Sequence, residues 1–167
     1  AGTIAGSVDL GAGNDTYVDR AGSRILGTLD GGAGVDTYRV ALSGDRSGIG
    51  ARTGFEQLAV TGTGTLALTL DQRFDQIALA GTGLALTLNG NTVGAVTGSD
   101  AAETLSVDGD LARVALGGGD DTLALGTTIA NGSYAGGAGS DTLRFTANAP
   151  VTLAGTARGF ETIALTG

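Results

Sequence analysis

Four aspartates, each directly behind a glycine-rich segment, are the residues of this chain best suited to chemistry. They are Asp15, Asp36, Asp121 and Asp141, at the ends of residues 11–15, 31–36, 117–121 and 136–141. Carboxylates are hard oxygen ligands, and Ca²⁺ takes six to eight such ligands. One loop cannot supply that number, whereas two stacked loops can. The pattern is therefore compatible with a divalent cation between the loops of Asp15 and Asp36, and between those of Asp121 and Asp141.

Two other interpretations of the acidic residues stay open at this point. Glycine and aspartate also form tight turns in which the carboxylate caps backbone N–H groups, without any metal. Paired carboxylates together with an arginine can also cleave polysaccharides, and the candidate pairs are Asp108 with Asp110 and Asp120 with Asp121. Because the acids at the repeated position are explained by the repeat itself, we expect the segment not to be an enzyme.

The aspartates belong to a longer repeat in which an acid is followed by Thr or Gln and then a large apolar residue. Successive acids lie roughly 20 residues apart, with one longer interval, and a fixed period of this size indicates a solenoid. The copies are Asp15-Thr16-Tyr17, Asp36-Thr37-Tyr38, Glu56-Gln57-Leu58, Asp75-Gln76-Ile77, Glu103-Thr104-Leu105, Asp121-Thr122-Leu123, Asp141-Thr142-Leu143 and Glu161-Thr162-Ile163.

Between the acids, large apolar residues fall at every second position, as in residues 65–70 and 84–88. This is the periodicity of β-strands. Glycine punctuates the runs and accounts for 32 of the 167 residues. We therefore predict an all-β parallel β-helix of about eight rungs of ~20 residues. The apolar residue of each copy should form one inward ladder: Tyr17, Tyr38, Leu58, Ile77, Leu105, Leu123, Leu143 and Ile163.

Two larger features overlie the rungs. Residues 8–62 match residues 114–167, so the chain is predicted to be a single β-helical segment, internally duplicated, with 63–113 as connecting rungs. The one longer interval, which follows Asp75, predicts an extra half-rung at residues 89–97, where the helix should be irregular.

Phenylalanine precedes the acid at Phe55, Phe74 and Phe160, which predicts closed apolar turns. We expect the segment to be part of a longer chain.

Composition excludes several classes of chemistry. The sequence has no Cys, His or Lys, which excludes the usual zinc sites, thiol nucleophiles, histidine triads and Schiff bases. The net charge of −8 opposes binding to nucleic acid or to anionic membranes. The uncharged stretch 76–99 contains glycine and polar residues and is predicted to form short strands, so we expect no membrane insertion of this segment.

The glycine-rich loops resemble the nonapeptide G-G-x-G-x-D-x-U-x of RTX (haemolysin-type) secreted proteins, where U is a large apolar residue. The resemblance implies that the loops bind Ca²⁺ through the carboxylate and through backbone carbonyls. The implied ligand set is Asp15, Asp36, Asp121 and Asp141 with Asn14, Gly32, Gly34, Gly137 and Gly139. The chain departs from that family because its copies lie a whole rung apart instead of in direct tandem, which predicts carboxylate loops along one edge only.

The stretch 54–70, beginning Gly54-Phe55-Glu56-Gln57-Leu58, resembles a phrase common in autotransporter passenger domains and other bacterial surface repeat proteins. This resemblance implies an extracellular stalk or display segment on the bacterial surface, with a surface ligand of a host or neighbouring cell, or self-association, as its partner. The alternative is an RTX module for Ca²⁺-dependent folding and secretion, attached to a secreted enzyme or toxin.

Overall fold

Short parallel strands separated by glycine-rich corners make up the chain. The computed structural model describes residues 2–20, 22–69, 73–89 and 93–166. Its strands are β1 Thr3–Ile4, β2 Val8–Asp9, β3 Thr16–Asp19, β4 Arg24–Ile25, β5 Leu29–Asp30, β6 Thr37–Ser43, β7 Arg46–Ser47, β8 Arg52–Thr53, β9 Gln57–Thr69, β10 Phe74–Ala80, β11 Leu84–Asn89, β12 Val93–Thr97, β13 Glu103–Asp108, β14 Arg113–Gly118, β15 Thr122–Leu125, β16 Ile129–Ala130, β17 Ser133–Ala138, β18 Thr142–Phe145, β19 Thr152–Leu153, β20 Thr156–Arg158 and β21 Thr162–Leu165.

Every paired strand of the described residues runs parallel to its neighbour on the next turn, as the periodicity predicted. The prediction of an all-β parallel β-helix is confirmed, with about eight turns ~20 residues apart. Parallel strands stack about 4.8 Å apart, so the rod is about 40 Å long. The described residues include no helix long and apolar enough to cross a membrane.

Two sheets form the main walls of the solenoid. The first sheet contains β3, β6, the first half of β9, β10, β12, β14, β17 and β20. The second sheet contains β7, the second half of β9, β11, β13, β15, β18 and β21. Because β9 runs through both walls, the pairings join into one 14-stranded sheet.

The single inward ladder predicted from the repeat is wrong: the residues form two ladders on different walls. Tyr17, Tyr38, Leu58 and Ile77 stack on the first sheet and continue into Val96. The second sheet carries the column Leu66, Leu86, Leu105, Leu123, Leu143 and Ile163. The repeated acids lie on two edges in the same way, so the expectation of one edge is also wrong.

The long interval between Asp75 and Glu103 has a regular explanation rather than the predicted irregular half-rung. Leu84 lies on the second wall, half a turn after Asp75, and pairs with Glu103 on the next turn. The interval is therefore half a turn plus a whole turn, and the repeated motif changes wall. Of the predicted irregular region, Val93–Thr97 is a strand in register with β10 and β14, and residues 90–92 lie outside the described residues.

The core consists of apolar side chains from both walls. Phe55 and Phe74 are buried and Phe160 packs partly against the core, which confirms the prediction of apolar turns before those acids. Ile163, in the last described turn, is 60% exposed, unlike the fully buried members of its column. Buried and exposed side chains alternate along each strand because successive side chains point to opposite faces of the sheet.

Glycine is required where one corner stacks directly on the next. A Cβ at Gly32 would lie 1.8 Å from the carbonyl oxygen of Gly11, and φ at Gly32 is +98°. At the other loop pair, a Cβ at Gly137 would lie 1.9 Å from the carbonyl oxygen of Gly117. Any larger residue would push the rungs apart, so these glycines set the close rung-to-rung contact.

This packing predicts opposite outcomes for neighbouring substitutions. Leu123 is fully buried in the second-sheet column, whereas the adjacent Thr122 is only partly buried. We expect Leu123→Asp to lower the free energy of unfolding by several kcal/mol, roughly 3–5, because it buries an unpaired charge. Thr122→Asp should cost less than about 1 kcal/mol. Denaturant titration measures both values, and equal losses would contradict the assigned orientation of this strand.

Candidate functional site

The acids of the repeat lie in two ladders, and Asp36, Glu56, Asp121, Asp141 and Glu161 each accept a backbone hydrogen bond from the preceding turn. On the first-sheet edge, Asp36 Oδ1 accepts from the Asp15 N–H at 2.7 Å, and Glu56 Oε2 accepts from the Asp36 N–H at 2.8 Å. Each carboxylate therefore fixes the register of the turn before it. This arrangement matches the interpretation of aspartates as caps of backbone N–H groups.

The second-sheet edge repeats the pattern. Asp121 Oδ1 accepts from the Glu103 N–H at 2.7 Å, and Asp141 Oδ1 accepts from the Asp121 N–H at 2.8 Å. Glu161 Oε2 ends the series by accepting from the Asp141 N–H at 2.7 Å. In both ladders the last acceptor is the glutamate of a Gly-Phe-Glu turn, Glu56 on the first-sheet edge and Glu161 on the second.

The second carboxylate oxygen has no hydrogen-bond partner at the four predicted metal ligands. Oδ2 of Asp15, Asp36, Asp121 and Asp141 is buried and unpaired. In the related loop of Glu103, by contrast, the Ser99 hydroxyl donates to one carboxylate oxygen and the Ser99 N–H donates to the other at 3.2 Å. The glycine loops therefore leave a buried acceptor that either a proton or a cation would satisfy.

The remaining predicted metal ligands lie in the contacts between stacked loops. Asn14 Oδ1 accepts from the Val35 N–H at 3.0 Å. A Cβ at Gly34 would lie 1.8 Å, and one at Gly139 2.0 Å, from a carbonyl oxygen of the preceding loop, so these loops touch directly. The residues that the structure describes contain no group of three or more acidic, His or Cys side chains placed to hold a metal ion. The Ca²⁺ assignment stays a prediction.

Hydrogen bonds engage Asp110, Asp120 and Asp121 of the two carboxylate pairs considered for catalysis. Asp110 accepts from the Tyr134 hydroxyl and from the N–H groups of Leu111 at 2.9 Å and Asn131 at 3.0 Å. Asp120 is exposed and accepts from the next turn, whereas Asp121 beside it is buried in the ladder. Asp110, Asp120 and Asp121 each accept a backbone hydrogen bond from a neighbouring turn and so contribute to the stacking.

A buried cluster of charges, missed in the sequence, lies in the first turns of the solenoid. Asp19 is 3% exposed, forms an ion pair with Arg46 at 2.7 Å, and accepts from the Ser23 hydroxyl at 2.5 Å and from the Tyr38 hydroxyl. The guanidinium of Arg52 lies 3.7 Å from the centroid of the Tyr38 ring. We call Asp19, Tyr38, Arg46 and Arg52 the charge cluster.

The charged members of this cluster occupy positions that carry apolar residues on neighbouring turns. Asp19 pairs with Val40, and Arg46 pairs with Leu66 at the start of the second-sheet column. Arg52 pairs with Leu29. Strand alternation gave a signal for Asp19, because it lies two positions after Tyr17 and so points inward. The two-residue strands around Arg46 and Arg52 are too short to show a period.

The environment shifts the pKa values of the cluster. Burial alone would raise the pKa of the Asp19 carboxyl, but hydrogen bonds from Arg46, Ser23 and Tyr38 and the Arg46 charge hold it below its usual value. Burial raises the pKa of the Tyr38 hydroxyl. Burial also lowers the pKa of Arg52 from its usual value. The ion pair of Asp19 and Arg46 is therefore charged at neutral pH.

Comparisons with protein-family models, with curated proteins and with solved structures find no match to this chain. The family resemblances of the repeat therefore remain resemblances.

The carboxylate ladder predicts a pH dependence. Burial and the carboxylates of Glu103 and Asp141 raise the pKa of Asp121 to about 6, against the opposing effect of the hydrogen bond from the Glu103 N–H. Between about pH 4 and pH 7 the folded chain then binds a proton that the unfolded chain releases, so stability from this group rises as the pH falls. The free energy of unfolding of the wild type, measured relative to that of Asp121→Asn, should therefore increase by on the order of 1–3 kcal/mol from pH 7 to pH 4.

Urea unfolding at pH 7, 5 and 4 measures this difference. The matched control is Asp120→Asn, the exposed neighbour, for which the difference from wild type should stay constant over the same range. If the free energy of unfolding of the wild type instead falls relative to that of Asp121→Asn on acidification, the Asp121 carboxyl is not protonated in the folded chain.

Proposed function

We propose that this segment is a structural stalk or display rod of a bacterial cell-surface or secreted repeat protein. One observation carries the proposal: the turns stack in parallel, with ladders of side chains continuing along the solenoid. In such a rod each turn contacts mainly its neighbours, so length is gained simply by adding turns. The partner would be a surface ligand of a host or neighbouring cell, or another copy of the chain.

The net charge and one sequence resemblance also support an extracellular structural role. The net charge of −8 favours solubility and repels nucleic acid and anionic lipid surfaces. The resemblance of residues 54–70 to passenger-domain sequences points in the same direction. In this role no catalytic group is needed, and the repeated acids serve the stacking of turns.

Labelling of intact cells tests the location. Antibody raised against this chain should label the surface of the bacterium that encodes it without permeabilisation, and added protease should remove the label. A cytoplasmic protein of the same cell, probed in parallel, should be labelled only after permeabilisation. If this chain behaves like that cytoplasmic control, the surface assignment is wrong.

A second candidate function is an RTX-like module in which Ca²⁺ assists folding after secretion. The unpaired buried Oδ2 atoms of Asp36 and Asp141 favour it, because a buried carboxylate oxygen without a donor is costly. Equivalent carboxylates about 4.8 Å apart also repel one another unless a proton or cation intervenes. The loops bring part of a ligand set, and solvent would supply the rest.

Thermal unfolding with and without Ca²⁺ tests this candidate. Ligand that binds only the folded chain raises the melting temperature, so wild type should melt several degrees higher in millimolar Ca²⁺ than in excess chelator. Asp36→Asn and Asp141→Asn should each lose about half of that rise, because each removes one loop pair.

The matched control is Asp75→Asn, since Asp75 occupies the same repeat position but is exposed and has no glycine-rich loop before it. It should keep the full rise. A wild-type melting temperature that is the same in chelator and in Ca²⁺ would contradict the metal and leave the loops as tight turns.

A further inference from the structure

Three steps at which glycine follows an aspartate or an asparagine lie within the described residues: Asp30–Gly31, Asp108–Gly109 and Asn131–Gly132. Such steps can modify themselves, because the glycine nitrogen can attack the side-chain carbonyl carbon of the residue before it. Glycine favours the attack, since it has no side chain to obstruct the approach and its backbone turns freely. The contacts of each glycine in the fold decide which step keeps that freedom.

The stacking of turns holds two of the three glycines in place. The Gly31 N–H donates to the Thr53 carbonyl at 2.9 Å, and the Gly132 N–H donates to the Tyr134 hydroxyl at 2.9 Å. Both glycines are buried, and a Cβ would lie 2.0 Å from a carbonyl oxygen of the adjoining turn at Gly31 and 1.9 Å at Gly132. At both steps the attacking nitrogen would first have to lose its hydrogen bond inside a closed corner.

The step from Asp108 to Gly109 differs in each of these respects. Asp108 ends β13 and is exposed, and Gly109 is partly buried at the corner that follows. No atom of the described residues would lie within 4 Å of a Cβ at Gly109, and its φ is +142°. Within the described part of the chain, the Gly109 N–H has no acceptor and the Asp108 carboxylate has no donor. The nitrogen can therefore reach the carboxyl carbon without the stack being opened.

We propose that Asp108–Gly109 is a self-modification site, at which the chain converts to isoaspartate through a cyclic succinimide. The Gly109 nitrogen bonds to Asp108 Cγ, one Cγ–O bond breaks, and the lost hydroxyl leaves as water with the amide proton. Water then opens the ring. Breaking the bond from nitrogen to Cγ restores aspartate, whereas breaking the bond from nitrogen to the main-chain carbonyl carbon leaves the chain linked through Cγ, with a free α-carboxylate and no change of mass. The site is independent of the stalk function.

Prolonged incubation of the folded chain at pH 7, followed by peptide mapping for isoaspartate, tests the site. The same incubation in urea gives the rate of each step in the unfolded chain, so the ratio of the two rates measures protection by the fold. The rate at Asp108–Gly109 should fall less than about fivefold on folding, the factor that corresponds to one hydrogen bond. The rates at Asp30–Gly31 and at Asn131–Gly132, where ammonia leaves instead of water, should fall about fiftyfold or more, because a closed corner must also open. Equal protection at the three steps, or isoaspartate at residue 108 only in urea, would overturn the proposal.

Two variants assign the signal and its protection to named groups. Asp108→Glu keeps the charge but would need a larger ring, so it should remove the isoaspartate of this peptide from the folded chain, and a signal that persists would contradict the site. Tyr134→Phe removes the acceptor of the Gly132 N–H and should raise the rate at Asn131–Gly132 by about fivefold in the folded chain. Asp30–Gly31 is the internal control, because its slow rate should stay unchanged in both variants if the turns remain stacked. An unchanged rate at Asn131–Gly132 in Tyr134→Phe would contradict protection by that hydrogen bond.

Discussion

Direct stacking of one turn on the next, through parallel backbone hydrogen bonds, is the constraint on which the rest of this structure depends. Once strands lie in register at about 4.8 Å, every residue lies above its equivalent, and the chemistry of a position is repeated along the rod. Apolar equivalents then form continuous inner columns such as Leu66, Leu86 and Leu105. Glycine at the corners permits this contact, since even a methyl group at Gly32 would meet the carbonyl of Gly11.

The same stacking places like charges next to one another, and the ladders reduce the cost. A column of carboxylates would be repulsive if each used its oxygens only toward the next acid. Here one oxygen of Asp36 accepts the N–H of Asp15, so the carboxylate satisfies a backbone donor of the adjoining turn. The loop of Glu103 shows how the second oxygen can be satisfied locally, because Ser99 supplies both a hydroxyl and an N–H. The glycine loops lack such a donor, and that difference distinguishes the two kinds of turn.

The sequence predicted the period, the parallel stacking and the burial of residues such as Leu58, Leu123 and Phe74, because these follow from local alternation and from the repeat. It did not predict which wall each copy joins. Each turn contains two strand positions of similar pattern, so a motif can move by half a turn without a change in local composition. The long interval from Asp75 to Glu103 was therefore compatible with either an inserted half-rung or a change of wall. Only the pairing of Leu84 with Glu103 distinguishes them.

The charge cluster was missed for a related reason, and its position has a physical consequence. Asp19 and Arg46 belong to different strands that are distant in the sequence, and they meet because one turn is stacked on the next. In a solenoid, each turn interacts mainly with its neighbours, so the cost of burying these charges falls on the first turns alone. The leucine columns from β9 onward carry no such cost. This architecture can therefore hold a polar site within its core at one point along the rod while the apolar columns beyond it keep the remaining turns folded.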